Sequence, residues 1–180
     1  VWNKASSTIT ANQITAPDGT LSTDLFTGFR IYRSSGASGT NTYTVSVYVK
    51  AVDSGSTLRL QTGAGFSVRG TTLYNISNGT VTSGPGSIVS VGNGWYRVQV
   101  NISYSGSGDN LLYWDTVGTG VYIWGAQLEQ ADFASSYIPT TSATVTRNSD
   151  VLTYPTSGNM LAAVGSMYAE ATRETLSGTQ

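Results

Sequence analysis

Acid–base or covalent chemistry in this 180-residue chain falls mainly to carboxylates, because the sequence contains no histidine and no cysteine. Their absence removes Ser-His-Asp triads, thiol nucleophiles, disulfide frameworks, zinc fingers and histidine metal sites. The acids are Asp18, Asp24, Asp53, Asp109, Asp115, Glu129, Asp132, Asp150, Glu170 and Glu174. A glycoside hydrolase would need two of them about 5–9.5 Å apart across the scissile bond. Asp115 and Glu129 fall at strand ends from which they could approach each other, but nothing in their context marks a catalytic pair. Most of the others fall in turns. The sequence points away from an enzyme.

Non-covalent sugar chemistry is better supplied. Tyrosine and tryptophan rings stack on the apolar face of a pyranose, and neighbouring polar side chains hydrogen-bond its hydroxyls. The chain has 11 Tyr and 4 Trp. Tyr32, Tyr48, Arg97, Gln99 and Trp114 are the candidate glycan-binding residues, with Lys50, Arg30, Arg59 and Gln61 on the same polar faces. Tyr113 and Trp114 take opposite faces of one strand, so one of them faces out. Trp95 beside a Gly-Asn-Gly turn and Trp124 inside an apolar run read as structural. The bland alternative is that the polar faces are an ordinary tyrosine-rich surface. Asp18, in Pro17-Asp18-Gly19-Thr20, and Asp24 are candidate ligands for a structural Ca²⁺, which takes six to eight loop oxygens. Asp-Gly is equally a turn dipeptide.

These residues must be positioned by strands. Ser, Thr, Gly, Val, Tyr and Asn dominate while Glu, Lys and Leu are scarce, which favours strands and turns. In residues 42–50 (TYTVSVYVK), Tyr43, Val45, Val47 and Val49 share one face, with Thr44, Ser46, Tyr48 and Lys50 on the other. Residues 95–104 (WYRVQVNISY) set Tyr96, Val98, Val100 and Ile102 against Trp95, Arg97, Gln99 and Asn101. Residues 28–33 and 56–62 alternate more briefly, and 110–115 and 120–129 are apolar enough for central strands. Turn-rich stretches at 34–41, 51–55, 83–86, 92–94 and 105–110 separate them. Short strands at this spacing predict an all-β antiparallel sandwich or barrel. Beyond Asp150, residues 159–180 read equally as helix or strand.

Composition narrows the partners. Only 11% of residues are charged, against about 25% in a typical soluble domain, and the formal net charge is −1. Dispersed Lys and Arg cannot neutralise a run of phosphates, so nucleic acid is not an expected partner. No stretch approaches the roughly 18 apolar residues of a membrane-spanning helix. The first residue is Val1, and the chain reads as a segment of a longer protein. The sequons at Asn75, Asn78 and Asn101 are of the kind a Ser/Thr-rich chain produces by chance.

Residues 124–150 (WGAQLEQADFASSYIPTTSATVTRNSD) resemble the closing motif "GAQLE…F.TSYIPT…TR..D" of a domain common in phage tail, fibre and spike proteins and in some secreted bacterial proteins. Residues 16–20 (APDGT) with Thr23 and Asp24, 45–51 (VSVYVKA) and 92–98 (GNGWYRV) match the same family. The resemblance covers about residues 1–150. It implies a jelly-roll β-sandwich of the carbohydrate-binding-module type, with the strand ahead of Trp2 clipped. Residues 165–170 (GSMYAE) resemble the opening strand of a lectin-like sandwich that often follows, so 151–180 is expected to be a linker and the start of a second domain. Arg147 and Asp150 occupy the "R..D" positions and would anchor that linker.

The function this implies is non-catalytic: a structural or adhesive module of a virion appendage (tail fibre, tail spike or head fibre), partnered by other virion subunits, displayed as a homotrimer and holding a host-surface glycan. The alternatives are a connector that binds no sugar, and a carbohydrate-binding module of an extracellular bacterial glycan-active protein.

Overall fold

Alternation in residues 40–51 does what its period requires. Tyr43, Val45, Val47 and Val49 are buried and meet Ile102, Val100, Val98 and Tyr96 across the ladder. In the computed structural model, which describes residues 2–63, 65–66, 71–107, 110–140 and 143–148, these belong to β3 (Thr40–Ala51) and β8 (Trp95–Ser105). The other strands are β1 (Asn3–Thr10), β2 (Asp24–Ser34), β4 (Thr57–Thr62), β5 (Thr72–Asn75), β6 (Thr80–Ser83), β7 (Ser87–Gly92), β9 (Leu111–Val117) and β10 (Val121–Glu129). All pairings between these strands are antiparallel, and no helix occurs among the described residues. The expected all-β antiparallel sandwich is the observed fold.

The strands follow the order β6-β5-β4-β9-β2-β10-β3-β8-β7, with β1 on the remaining edge of β2. β2 pairs with β10 through Asp24, Leu25 and Phe26, and with β9 from Arg30 to Ser34. One strand therefore passes from one layer to the other. The turn-over falls at Gly28, whose φ of 93° suits glycine, and a Cβ there would lie 2.5 Å from the Ser6 carbonyl oxygen of β1. Pairs β3–β10 and β4–β9 are nested in the chain, the outer enclosing the inner, as in a jelly roll.

The core lies between the layers. Ile31, Leu58, Leu60, Leu112 and Trp114 come from β2, β4 and β9; the valines of β3 and β8 come from the other side. Each fully buried side chain of this size contributes about 1.5–3 kcal/mol. The Asn93-Gly94 turn joining β7 to β8 has positive φ at both residues (53° and 75°), which matches the right-handed twist of a hairpin.

The chain divides into two compact units, Val1–Ala143 and Thr144–Gln180. All ten strands belong to the first. In the second, residues 144–148 carry no strand. The expected anchor Asp150 and the expected strand at 165–170 lie outside the described residues.

Candidate functional site: an aromatic row beside an apolar-floored cavity

Register sets the first feature. Val89, Arg97, Tyr48 and Trp124 are successive cross-strand partners on β7, β8, β3 and β10. The Arg97 guanidinium sits 5.1 Å from the Tyr48 ring centroid. Tyr48 meets Trp124 edge-on at 5.2 Å, and Trp124 meets Tyr137 at 4.5 Å. Arg97 donates from Nη2 to Ser46 Oγ at 2.9 Å, while its buried Nε has no partner among the described residues.

A β-bulge makes this row. Between Trp124 and Gln127 the register slips by one residue, and Gly125 adopts φ 62°. Strict alternation would send Trp124 and Gln127 to opposite faces; the extra residue keeps both beside β3's Tyr48 and Ser46. Gly125 is also close-packed, since a Cβ would lie 3.2 Å from Tyr48 and 3.3 Å from Tyr137.

The rest of the closing motif is a latch. Gln127 Oε1 accepts the Ile138 N–H at 3.0 Å. Glu129 accepts the Ser135 N–H at 3.1–3.2 Å and the Ser135 hydroxyl. Thr44 Oγ1 donates to the Ala131 carbonyl and Asn101 Nδ2 to the Asp132 carbonyl. The chain after β10 is thus drawn back over the outer face of β10, β3 and β8. Thr44 and Ser46, on the face expected to be polar and open, are buried. Covering this part of the face leaves Tyr48, Arg97 and Trp124 as its partly exposed strip.

A second set of bonds fixes the opposite bank. The Trp124 indole N–H donates to Ser22 Oγ at 3.0 Å, Ser22 and Thr20 hydroxyls are in contact, and Thr20 Oγ1 donates to Asp18 Oδ1 at 2.7 Å. With the indole a donor only and the carboxylate an acceptor only, the chain runs from indole through two hydroxyls to carboxylate. Asp18 also accepts the Thr20 N–H at 2.9 Å. These two bonds, the hydroxyl's first, hold Asp18 below the ordinary carboxylate range. Burial pushes Asp24 the other way, partly offset by the Asn12 N–H.

Beside the row lies a cavity of about 680 Å³, within the range of small-molecule sites. Trp2, Trp124 and Tyr137 wall it, Phe26, Ile31 and Trp114 are among the core residues forming its floor, and Lys4, Asp18, Asp24, Thr20 and Ser22 supply its polar groups. Rings for stacking and convergent donors and acceptors are what a saccharide requires.

Of the sequence candidates, Tyr48 and Arg97 meet in the row. Gln99 lies in the next register row, opposite Ser46, with its carbonyl accepting the Tyr74 hydroxyl. Tyr32 belongs to the other layer and faces Tyr113 with ring centroids 6.0 Å apart. Trp114 does not face outward: it is 4% exposed, packed in the core between Ile31 and Leu60 of the adjoining strands, and Tyr113 takes the outer face. Trp124, expected to be structural, is the centre of the row; the bulge glycine was the signal. Trp95 is buried, as a structural residue should be. Asp18 and Asp24 share the cavity, but Asp18 serves a turn and no group of three His, Cys, Asp or Glu occurs among the described residues. Asp115 and Glu129 do not form a pair: Asp115 binds Arg30 and Arg59, and Glu129 binds Ser135. No family model and no curated protein matches the chain.

Proposed function

We propose that this chain is a non-catalytic module of a phage virion appendage (tail fibre, tail spike or head fibre) that helps build the appendage and holds a host-surface glycan. The observation that carries the sugar-binding half is the Arg97–Tyr48–Trp124–Tyr137 row bordering a cavity rimmed by Lys4, Asp18 and Asp24. A pyranose stacked on Trp124 or Tyr137 would offer its hydroxyls to those groups. The resemblance of residues 124–150 to the closing motif supports the virion setting. A single shallow site reaches about the millimolar range, near −4 kcal/mol. Display as a homotrimer would raise avidity by roughly 10² where geometry lets several sites engage.

A glycan array probed with the whole chain tests this, with Trp124→Ala as control. Retention of a defined set of neutral glycans, lost in Trp124→Ala with the fold intact by circular dichroism, is the expected result. Silence across the array refutes the glycan half. A connector reading draws on Phe133, which is 68% exposed on the latched segment; loss of particle assembly on Phe133→Ser, with a silent array, would favour it.

A further inference from the structure

We infer that the outer face of the layer formed by β4, β9 and β2 carries a second site, for a carboxylated sugar. It goes beyond the Trp124 site and shares with that reading only the idea that the chain meets saccharides.

Two register rows build the face. Arg59, Asp115 and Arg30 are successive cross-strand partners, and beside them stand Gln61, Tyr113 and Tyr32. Asp115 is fully buried, yet it does not neutralise the cluster, since two guanidinium groups against one carboxylate leave +1. Arg30 donates Nε to Asp115 Oδ1 at 2.6 Å, and Nη2 to Asp115 Oδ2 at 2.8 Å and to Gln61 Oε1. Arg59 donates Nε and Nη2 to Asp115 Oδ2 at 3.0 and 2.7 Å. An arginine has five N–H donors. Three are used on Arg30 and two on Arg59, so 5 − 3 = 2 and 5 − 2 = 3 have no acceptor among the described residues.

Asp115 therefore works as a brace. It locks both forks in place, which removes the rotamer entropy an arginine ordinarily loses on gripping an anion. The rings make the site more than an anion hole. The Arg30 guanidinium lies 4.7 Å from the Phe29 centroid and 4.8 Å from that of Tyr113, and Phe29 is exposed. A carboxylate held by the spare N–H groups would bring its attached pyranose ring against Phe29 and the tyrosines, while a neutral sugar would gain only the stacking.

The test is an NMR titration of the whole chain with sialyllactose, and with lactose as the neutral counterpart. Sialyllactose should move the amide signals of Arg30, Arg59 and Tyr113, and lactose should not. Arg59→Gln keeps the Arg30–Asp115 pair and so the fold. It should weaken the affinity read from the sialyllactose shifts at Arg30 and Tyr113 about tenfold, and the same shifts should persist in Trp124→Ala. Equal binding of lactose at these residues, unchanged affinity in Arg59→Gln, or displacement by an equal concentration of inorganic phosphate overturns the inference. Loss of sialyllactose binding in Trp124→Ala but not in Arg59→Gln overturns it too, and leaves the Trp124 site standing.

Discussion

Replacing Asp115 by alanine isolates the energetics of the brace. The carboxylate accepts four hydrogen bonds, two from Arg30 and two from Arg59. Without it, two guanidinium groups face each other across β9 with nothing between them. Breaking a buried ion pair costs about 3–5 kcal/mol, mostly because the surviving charge stays desolvated. Here the arginine side chains remain 24% and 28% exposed, so water reaches them and the lower end, about 3 kcal/mol, is expected. For a domain of this size each kcal/mol shifts Tm by about 2–4 °C, giving a fall of about 6–12 °C. Thermal and urea unfolding followed by circular dichroism would measure it. Asp115→Asn keeps the shape and one acceptor and should lose about half as much. Salt supplies an internal check: at 1 M the Debye length is about 3 Å, so arginine repulsion is screened and the gap between Asp115→Ala and wild type should narrow. A loss below about 1 kcal/mol, or a gap that widens with salt, would refute the claim that Asp115 is what makes two adjacent arginines tolerable.

The layer crossing should be equally sensitive to Gly28→Ala, which combines a φ of 93° with a Cβ 2.5 Å from Ser6 O; a loss of roughly 3 kcal/mol in urea unfolding is expected. Gly36→Ala, with φ 74° and open space around it, should cost only about 1 kcal/mol, and equal losses would show that the close approach to β1 does not matter. Gln127→Ala combined with Glu129→Ala should free the chain after β10, read as faster amide exchange at Ile138 and Ser135 with the β3–β8 amides unchanged. The two cavity carboxylates should titrate with opposite sign. Asp18, held below its ordinary 3.8, contributes stability above that pH and loses it as pH falls through the lowered value. Asp24, raised by burial, binds its proton more tightly when folded, so stability falls as pH climbs from 3.8 through the raised value. Asp24→Asn should remove that fall and Asp18→Asn the acid-side loss, as measured by Tm between pH 3 and 6.

What the sequence disclosed followed the strength of the period-2 pattern. β3 and β8 were legible to within two residues at each end because valines and isoleucine alternate with polar groups over nine or ten positions. Residues 56–62 and 120–129 likewise bracket β4 and β10. β1 (NKASSTIT) is not legible in the sequence, because an edge strand made mostly of small polar residues has no apolar face to announce it. β5 (TLYN) and β6 (TVTS) are too short for a period to emerge, and β7 carries valines on the outer side of an edge. The faces were less legible than the strands. Alternation says which residues point away from the core, but not what later chain will cover them, and so Thr44 and Ser46 look open in the sequence and are buried in the fold. The outward face of β9 is ambiguous for a related reason: in a strand as apolar as LLYWDTV either parity fits the sequence, and only the pairing of Trp114 with Ile31 and Leu60 decides it.

Strand regularity sets the different chemistry of the two outer faces. On β10 the bulge at Gly125 spends one residue to bring Trp124 into line with Gln127 and Glu129, so a ring for stacking and the latch that partly covers the face come from one short motif. Removing the latch would expose more of the sheet but would also withdraw Tyr137, which depends on the Ile138 bond to Gln127 for its place against Trp124. The open strip is therefore a product of the covering, not what the covering failed to reach. β9 has no bulge in its pairings with β2 and β4, and no described segment is latched across it. Its outward residues stay in strict alternation, so Asp115 lands between arginines on both sides and must be satisfied within the sheet. The bulged strand here builds a cavity wall with rings; the regular one arrays Asp115 between two arginines in one row and Tyr113 between Gln61 and Tyr32 in the next.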